Sequence, residues 1–189
     1  MSVADQSLLE RIAQGIARPA SPGVKASILT TAGELYGTRP VLDESTPPTG
    51  FDPAAAALFE AIVEGAYLVA NADGVFDDDE RRAFEAVVLT ATKKQVEASQ
   101  LAALLADLAQ QLAEDGVEKR IQCVASTVSK PEHQREVLRV SALIGYISGG
   151  VSDVERNAMV AIAKAFQMTD ADVDTAISEA KNALEPKQA

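Results

Sequence analysis

At 189 residues, nearly half of them apolar, the chain is long enough for one sizeable hydrophobic core or two small ones and has the composition of a globular protein. Seventeen Lys and Arg against 28 Asp and Glu leave a formal net charge of −11, which repels a phosphate backbone and an anionic lipid surface and argues against nucleic-acid binding. One cysteine, Cys123, excludes an intrachain disulfide and suits a reducing compartment; with no apolar run approaching the roughly 18 residues of a membrane span and no signal-like start, the expectation is a cytoplasmic protein that is not integral to a membrane.

Leu8, Leu9, Ile12 and Ile16 recur at helical spacing and predict an amphipathic helix over about 3–17, broken by Pro19 and Pro22. A second helix is predicted over about 24–36, with Ile28, Leu29, Ala32 and Leu35 on one side and Gly37 at its end. Residues 38–53 hold four of the eight prolines among Ser, Thr, Gly and acids, the composition of an exposed linker or arm. The organisation that follows is an N-terminal helical extension over 1–37, a Pro-rich linker or arm over 38–53, and a helical bundle over 54–185. The extension docks on the bundle, is tethered to it, or docks on a partner; packing on its own chain is the commoner fate of such helices.

The bundle opens with Leu58, Phe59, Ile62, Val63, Ala66, Val69 and Ala70 at helical period. Then comes the most charged stretch of the chain, Asn-Ala-Asp-Gly-Val-Phe-Asp-Asp-Asp-Glu over Asn71 to Glu80, followed by a second helical pattern carried by Ala83, Phe84, Val87 and Val88. Helix chemistry alone explains most of this acid run. Asp77 sits where an N-cap belongs, Glu80 three residues on completes a capping box, and Asp78 and Asp79 oppose the positive end of the helix dipole. Asp73 precedes the turn and caps nothing obvious, while Gly74 supplies the positive φ of a sharp bend. Aligned on the glycine of a calcium-binding EF-hand loop, Asn71 and Asp73 fall on its third and fifth positions, Asp77 on the ninth and Glu80 on the twelfth. The opening position, normally Asp, is Val69, which makes a poor EF-hand. A hard-cation site completed by carboxylates from elsewhere in the chain stays open.

Further helices are predicted over about 96–113, with a stripe of Leu101, Leu104, Leu105, Leu108 and Leu112, and over 117–128, where Cys123 reads as a small core or boundary residue. Another opens at Pro131 and runs to Tyr146, the next is capped by Ser152 and ends near Phe166, and the last is capped by Thr169 with Asp172 three residues on. No segment alternates as a strand does. The expected fold is all-α, a bundle of about seven to nine helices without a sheet.

A weaker second copy of the acidic unit lies near the C-terminus, where Leu138 to Ala163 tracks Ile62 to Val88 with one residue deleted. Gly74-Val75 matches Gly150-Val151, Asp77 matches Ser152, Glu80-Arg81 matches Glu155-Arg156, and Phe84 and Val87 match Met159 and Ile162. Two pseudo-symmetric helix-loop-helix repeats are therefore expected to pack together, since neither buries its apolar face alone. In the second copy Gly149 replaces Asp73 and Ile147 replaces Asn71.

A helix ending in Ala-Asp-Gly, a short loop, a carboxylate-capped helix with its Glu-Arg pair and a weaker repeat resemble the TerB (tellurite resistance protein B) family over about Pro53 to Leu184. The resemblance implies an all-α bundle with approximate internal twofold symmetry, an acidic surface, a metal site formed by the two loops and a link to chemical-stress responses that include tellurite. Carried onto this sequence, the family's site residues are Asp73 and Glu80 from the first loop and Glu155 from the second. Gly149, standing where the family usually has an aspartate, removes one ligand.

Little supports catalysis. The one histidine, His133, lies in a predicted first helical turn beside Glu132, and there is no His-Glu-x-x-His zinc pattern, phosphate-cradling glycine loop or Glu-x-x-His di-iron spacing. The chain is expected not to be an enzyme. Two functions remain. In one, Asp73, Asp77, Glu80 and Glu155 gather around a divalent cation, calcium or magnesium, and the cation fixes the angle between the helix pairs. In the other, no metal binds and the acidic loops dock a protein partner with a basic surface, which leaves open association with a membrane-bound complex.

Overall fold

The computed structural model describes residues 5–19, 25–38 and 52–185. Most of the expected Pro-rich linker, residues 39–51, lies outside them. Among the described residues the fold is all-helical, with no strand. Helices α1 (Gln6–Ala17) and α2 (Ile28–Tyr36) precede α3 (Pro53–Ala70), α4 (Asp78–Ala91), α5 (Ala98–Asp115), α6 (Val117–Thr127), α7 (Pro131–Ile144), α8 (Asp153–Ala165) and α9 (Asp170–Leu184).

Helix starts follow side-chain caps. Asp5, Ser27, Asp52, Asp77 and Ser152 each accept a backbone N–H that the first turn leaves without an intrahelical partner. Ser27 explains why α2 begins at Ile28, later than its apolar pattern predicts. At the other boundary that differs, α7 stops at Ile144 and residues Gly145–Ser148 tighten into a 3-10 turn, so the expected continuation of the α-helix to Tyr146 does not occur. There Gly145 approaches the second loop closely: a Cβ on it would lie 2.9 Å from Val151 Cγ2.

α3 is the central helix, packed against α2, α5, α6, α7 and α8. By length and apolar composition it would also pass for a membrane-crossing helix, but 61% of it is buried inside the fold. Its Phe59 and Ile62 are fully buried, and each such side chain contributes roughly 1.5–3 kcal/mol of transfer free energy. Where α3 crosses α7, Gly65 lets the backbones close: a Cβ there would stand 2.4 Å from Val137 Cγ1.

α1 and α2 share this core. Ile12, Ile16 and Leu29 are fully buried in the same apolar cluster as α3 and α7. A buried ion pair on α7 ties both helices down. Arg139 donates to the carbonyls of Gly15 at 2.6 Å and Ile16 at 2.8 Å, and to Glu136 Oε2 at 2.8 Å. Glu136 Oε1 in turn accepts the Leu29 N–H at 3.3 Å. The cation thus meets the carbonyl end of α1 and the anion the amide end of α2, where each opposes the local helix dipole. A second network joins Arg120 of α6 to Glu64 of α3 at 2.6 Å and to Asp115 of α5 at 3.2 Å.

The α3–α4 and α7–α8 units share local devices. Each second helix opens with a capping box, Asp77 with Glu80 and Ser152 with Glu155. Each also closes in a left-handed turn, with positive φ at Lys93 and Lys94 in one and at Gln167 in the other. In both, the turn's last amide reaches back to the helix: Lys94 N–H to the Leu89 carbonyl, and Met168 N–H to the Ala163 carbonyl, each at 2.8 Å.

Candidate functional site: an acidic cleft between two loops

The first loop leaves α3 at Asn71 and turns at Gly74, whose φ is +82°. Asp73, which caps no helix, folds back on the loop: its Oδ1 accepts the Val75 N–H at 2.9 Å. Phe76 anchors the loop by packing edge-on between Tyr67 of α3, at 5.3 Å, and Phe84 of α4, at 5.9 Å. Asp77 Oδ1 then accepts the N–H groups of Asp79 and Glu80, both at 2.9 Å, and Glu80 Oε2 accepts the Asp77 N–H at 3.3 Å.

The second loop follows the 3-10 turn and bends at Gly149 and Gly150, with φ of +105° and +126°. Ser152 caps α8 by accepting the Glu155 N–H at 3.2 Å. Glu155 Oε2 accepts both the Ser152 N–H, at 2.7 Å, and the Ser152 hydroxyl, at 2.8 Å. Its equivalent in the first loop, Glu80, is half-buried, whereas Glu155 is only 9% exposed.

These loops face one another across a small cleft. Phe76 and Phe84 form one wall and Ile144 and Ile147 the other, with Glu80, Ser148 and Glu155 as its polar groups. Burial pushes the Glu155 carboxyl above its ordinary value of 4.5, the Ser152 hydrogen bonds oppose that shift, and the charges of Asp73 and Glu80 add to it. Of the four expected residues, Asp73 and Glu80 are therefore each within electrostatic reach of Glu155, although 82 positions separate Asp73 from it (155 minus 73). Asp77 stands at the foot of the first loop with one oxygen held by its cap.

The donor set is all oxygen, which suits a hard cation. Among the described residues Asp73 Oδ2, Glu80 Oε1 and Glu155 Oε1 accept no hydrogen bond, so each carboxylate keeps one oxygen outside its cap. Among the described residues no three His, Cys, Asp or Glu side chains stand close enough to hold one ion together. Of the two hard cations, magnesium keeps several waters and takes one or two carboxylates, whereas calcium takes six to eight oxygens.

Sequence reading missed the two buried ion pairs, because their partners are far apart in the chain. One signal was present: Glu64 interrupts the apolar run between Val63 and Gly65, and a carboxylate on a buried face needs a cation. His133 is half-buried, and burial lowers its pKa.

An acidic all-α bundle with two capped loops meeting over a carboxylate-lined cleft defines the class of protein. The family model for tellurite resistance protein TerB matches residues 59–178, and the chain belongs to that family. The match begins within α3 and ends within α9, so α1 and α2 lie outside it while sharing its core. Comparison with curated proteins and with solved structures gave no match.

Proposed function

We propose that this TerB-family protein is a non-enzymatic interaction module whose loop cleft takes up a divalent cation, magnesium before calcium. The observation that carries the reading is the pairing of Glu80 and Glu155 across the cleft, with Asp73 near enough for its charge to act on Glu155 and no basic side chain bonded to any of the three among the described residues. Glu155 and Glu80 are held in place by the capping boxes of α8 and α4, and Asp73 by its own turn. Bound there, a cation supplies positive charge and nothing more. The carboxylates otherwise repel, so Glu80 and Asp73 on one loop and Glu155 on the other draw together only when that charge is offset. Partner binding then depends on how the two loops are set. Calorimetric titration of metal-stripped protein tests this. Magnesium is expected to give a saturable isotherm that Asp73→Ser, which keeps an oxygen for the Val75 amide, weakens severalfold; an isotherm indistinguishable from buffer dilution contradicts it.

A second reading rests on exposed apolar side chains on the segments that flank the cleft. Val75 is 58% exposed in the first loop and Val154 47% exposed in the first turn of α8. Apolar surface beside carboxylates accommodates the aliphatic stem and charged head of a lysine or arginine from a basic partner. A Lys-rich peptide that binds equally well with and without magnesium would favour this metal-free docking.

A further inference from the structure

Asp73 also sits at a chemically vulnerable bond. It is followed by Gly74, and an Asp-Gly bond is the least hindered place for a backbone amide to attack the preceding side chain. The chain contains one other such bond, Asp115–Gly116, which serves as an internal comparison. Residues Asp73, Gly74 and Val75 are all exposed, and a Cβ on Gly74 would meet nothing within 4 Å. The Asp73 Oδ1 to Val75 N–H hydrogen bond of 2.9 Å closes a ring through the Gly74 peptide and so folds the carboxyl group over the amide that would attack it. No basic side chain bonds Asp73 among the described residues.

At Asp115 the carboxyl group is held by two cationic side chains. Lys119 Nζ binds Oδ1 at 2.5 Å and Arg120 Nη1 binds Oδ2 at 3.2 Å, and the side chain is 22% exposed. Both oxygens are tied to cationic side chains, which restrains the group from reorienting toward the Gly116 nitrogen. The two glycine amides are otherwise alike: Gly74 N–H is bonded to the Asn71 carbonyl and Gly116 N–H to the Leu112 carbonyl, each at 3.0 Å. The sites differ in the carboxyl environment and in exposure.

We propose that Asp73 is a site of spontaneous isoaspartate formation in the folded protein, and that Asp115 is protected. The Gly74 nitrogen attacks Asp73 Cγ, its proton and the carboxyl hydroxyl depart as water, and a succinimide ring forms. Water then opens the ring. Attack at the side-chain carbonyl restores aspartate; attack at the main-chain carbonyl leaves isoaspartate, in which the chain runs through the former side chain and carries one extra methylene. No oxidant or cofactor is needed. In the cation-free protein the modification moves the Asp73 carboxylate out of its turn and inserts a backbone atom between α3 and Phe76.

The test is incubation of the full chain in oxygen-18 water near neutral pH, followed by digestion and mass spectrometry, since each cycle through the ring places one heavy oxygen in the residue. The peptide containing Asp73 is expected to gain label at least fivefold faster than the peptide containing Asp115, and to become a substrate for isoaspartyl methylation. In denaturant, where the Lys119 and Arg120 contacts are gone, the two peptides are expected to label at similar rates. Asp73→Glu, which keeps the charge but would have to form a larger and slower ring, is expected to lose the label. Equal labelling of the two sites in the folded protein, or none at Asp73 while the denatured chain labels, overturns the proposal.

Discussion

Glu155 uses its two oxygens differently. Oε2 completes the capping box of α8, and Oε1 faces the cleft, 3.6 Å from where a Cβ on Gly145 would stand. Because burial and the neighbouring carboxylates raise its pKa, the folded protein holds this proton more tightly than the unfolded chain does. Between the ordinary value of 4.5 and the raised one, the folded state binds more protons, so stability falls as pH rises through that window and the penalty is fully present above it. Glu155→Gln retains an oxygen for the Ser152 donors and removes the charge. Without divalent cation it is expected to match or exceed the wild type at neutral pH, and its advantage should grow as pH rises from about 4.5. Urea unfolding across that range checks the sign. A wild type that gains on the variant as pH rises would mean that Glu155 is stabilised as an anion.

Among the elements, close approach matters as much as capping. At Gly65 the α3–α7 crossing leaves no room for a methyl group, since Val137 is fully buried and β-branched and its side chain has little freedom to move. Gly65→Ala is expected to cost about 1–3 kcal/mol by overpacking, despite the better helix propensity of alanine. Val137→Ala in the same chain should recover part of that loss, and coupling between the two in urea unfolding is the readout. Neutrality of Gly65→Ala would show that the helices separate freely there. The helices themselves were largely legible in the sequence, because apolar period and caps such as Asp77, Ser152 and Thr169 are local signals. The 3-10 turn at Gly145 was not legible, because what requires it is contact with Val151 in the next loop rather than any local preference. The cleft was half legible. Its residues could be named from the repeat and the family resemblance, but the unequal burial of Glu80 and Glu155 depends on packing that pattern does not encode.

Across the whole molecule, the Arg139–Glu136 pair joins helices that the family match does not cover to the bundle that it does. Glu136 is fully buried, so removing its cation leaves a charge without compensation. Arg139→Ala is expected to cost about 3–5 kcal/mol. Adding Glu136→Gln, which keeps an acceptor for the Leu29 N–H, should restore most of that loss. Because α1 and α2 share the core with α3 and α7, the wild type is expected to unfold in one transition, and a separate early loss of helix would show that the N-terminal helices are only docked.

On the proposed reading, the charge gathered around the two loops is there to be neutralised by a cation. This is tested most directly by thermal unfolding of metal-stripped protein with and without magnesium, at ionic strength matched with sodium chloride. At a hundredfold excess over the dissociation constant, binding to the folded state alone contributes about 2.7 kcal/mol, or roughly 5–10 °C for a chain of this size. The expected result is a saturating rise of that order that is lost in Asp73→Ser and in Glu155→Gln. A rise no larger than sodium chloride gives, or one that both variants retain, would contradict the account and leave the carboxylates as helix caps and surface charge.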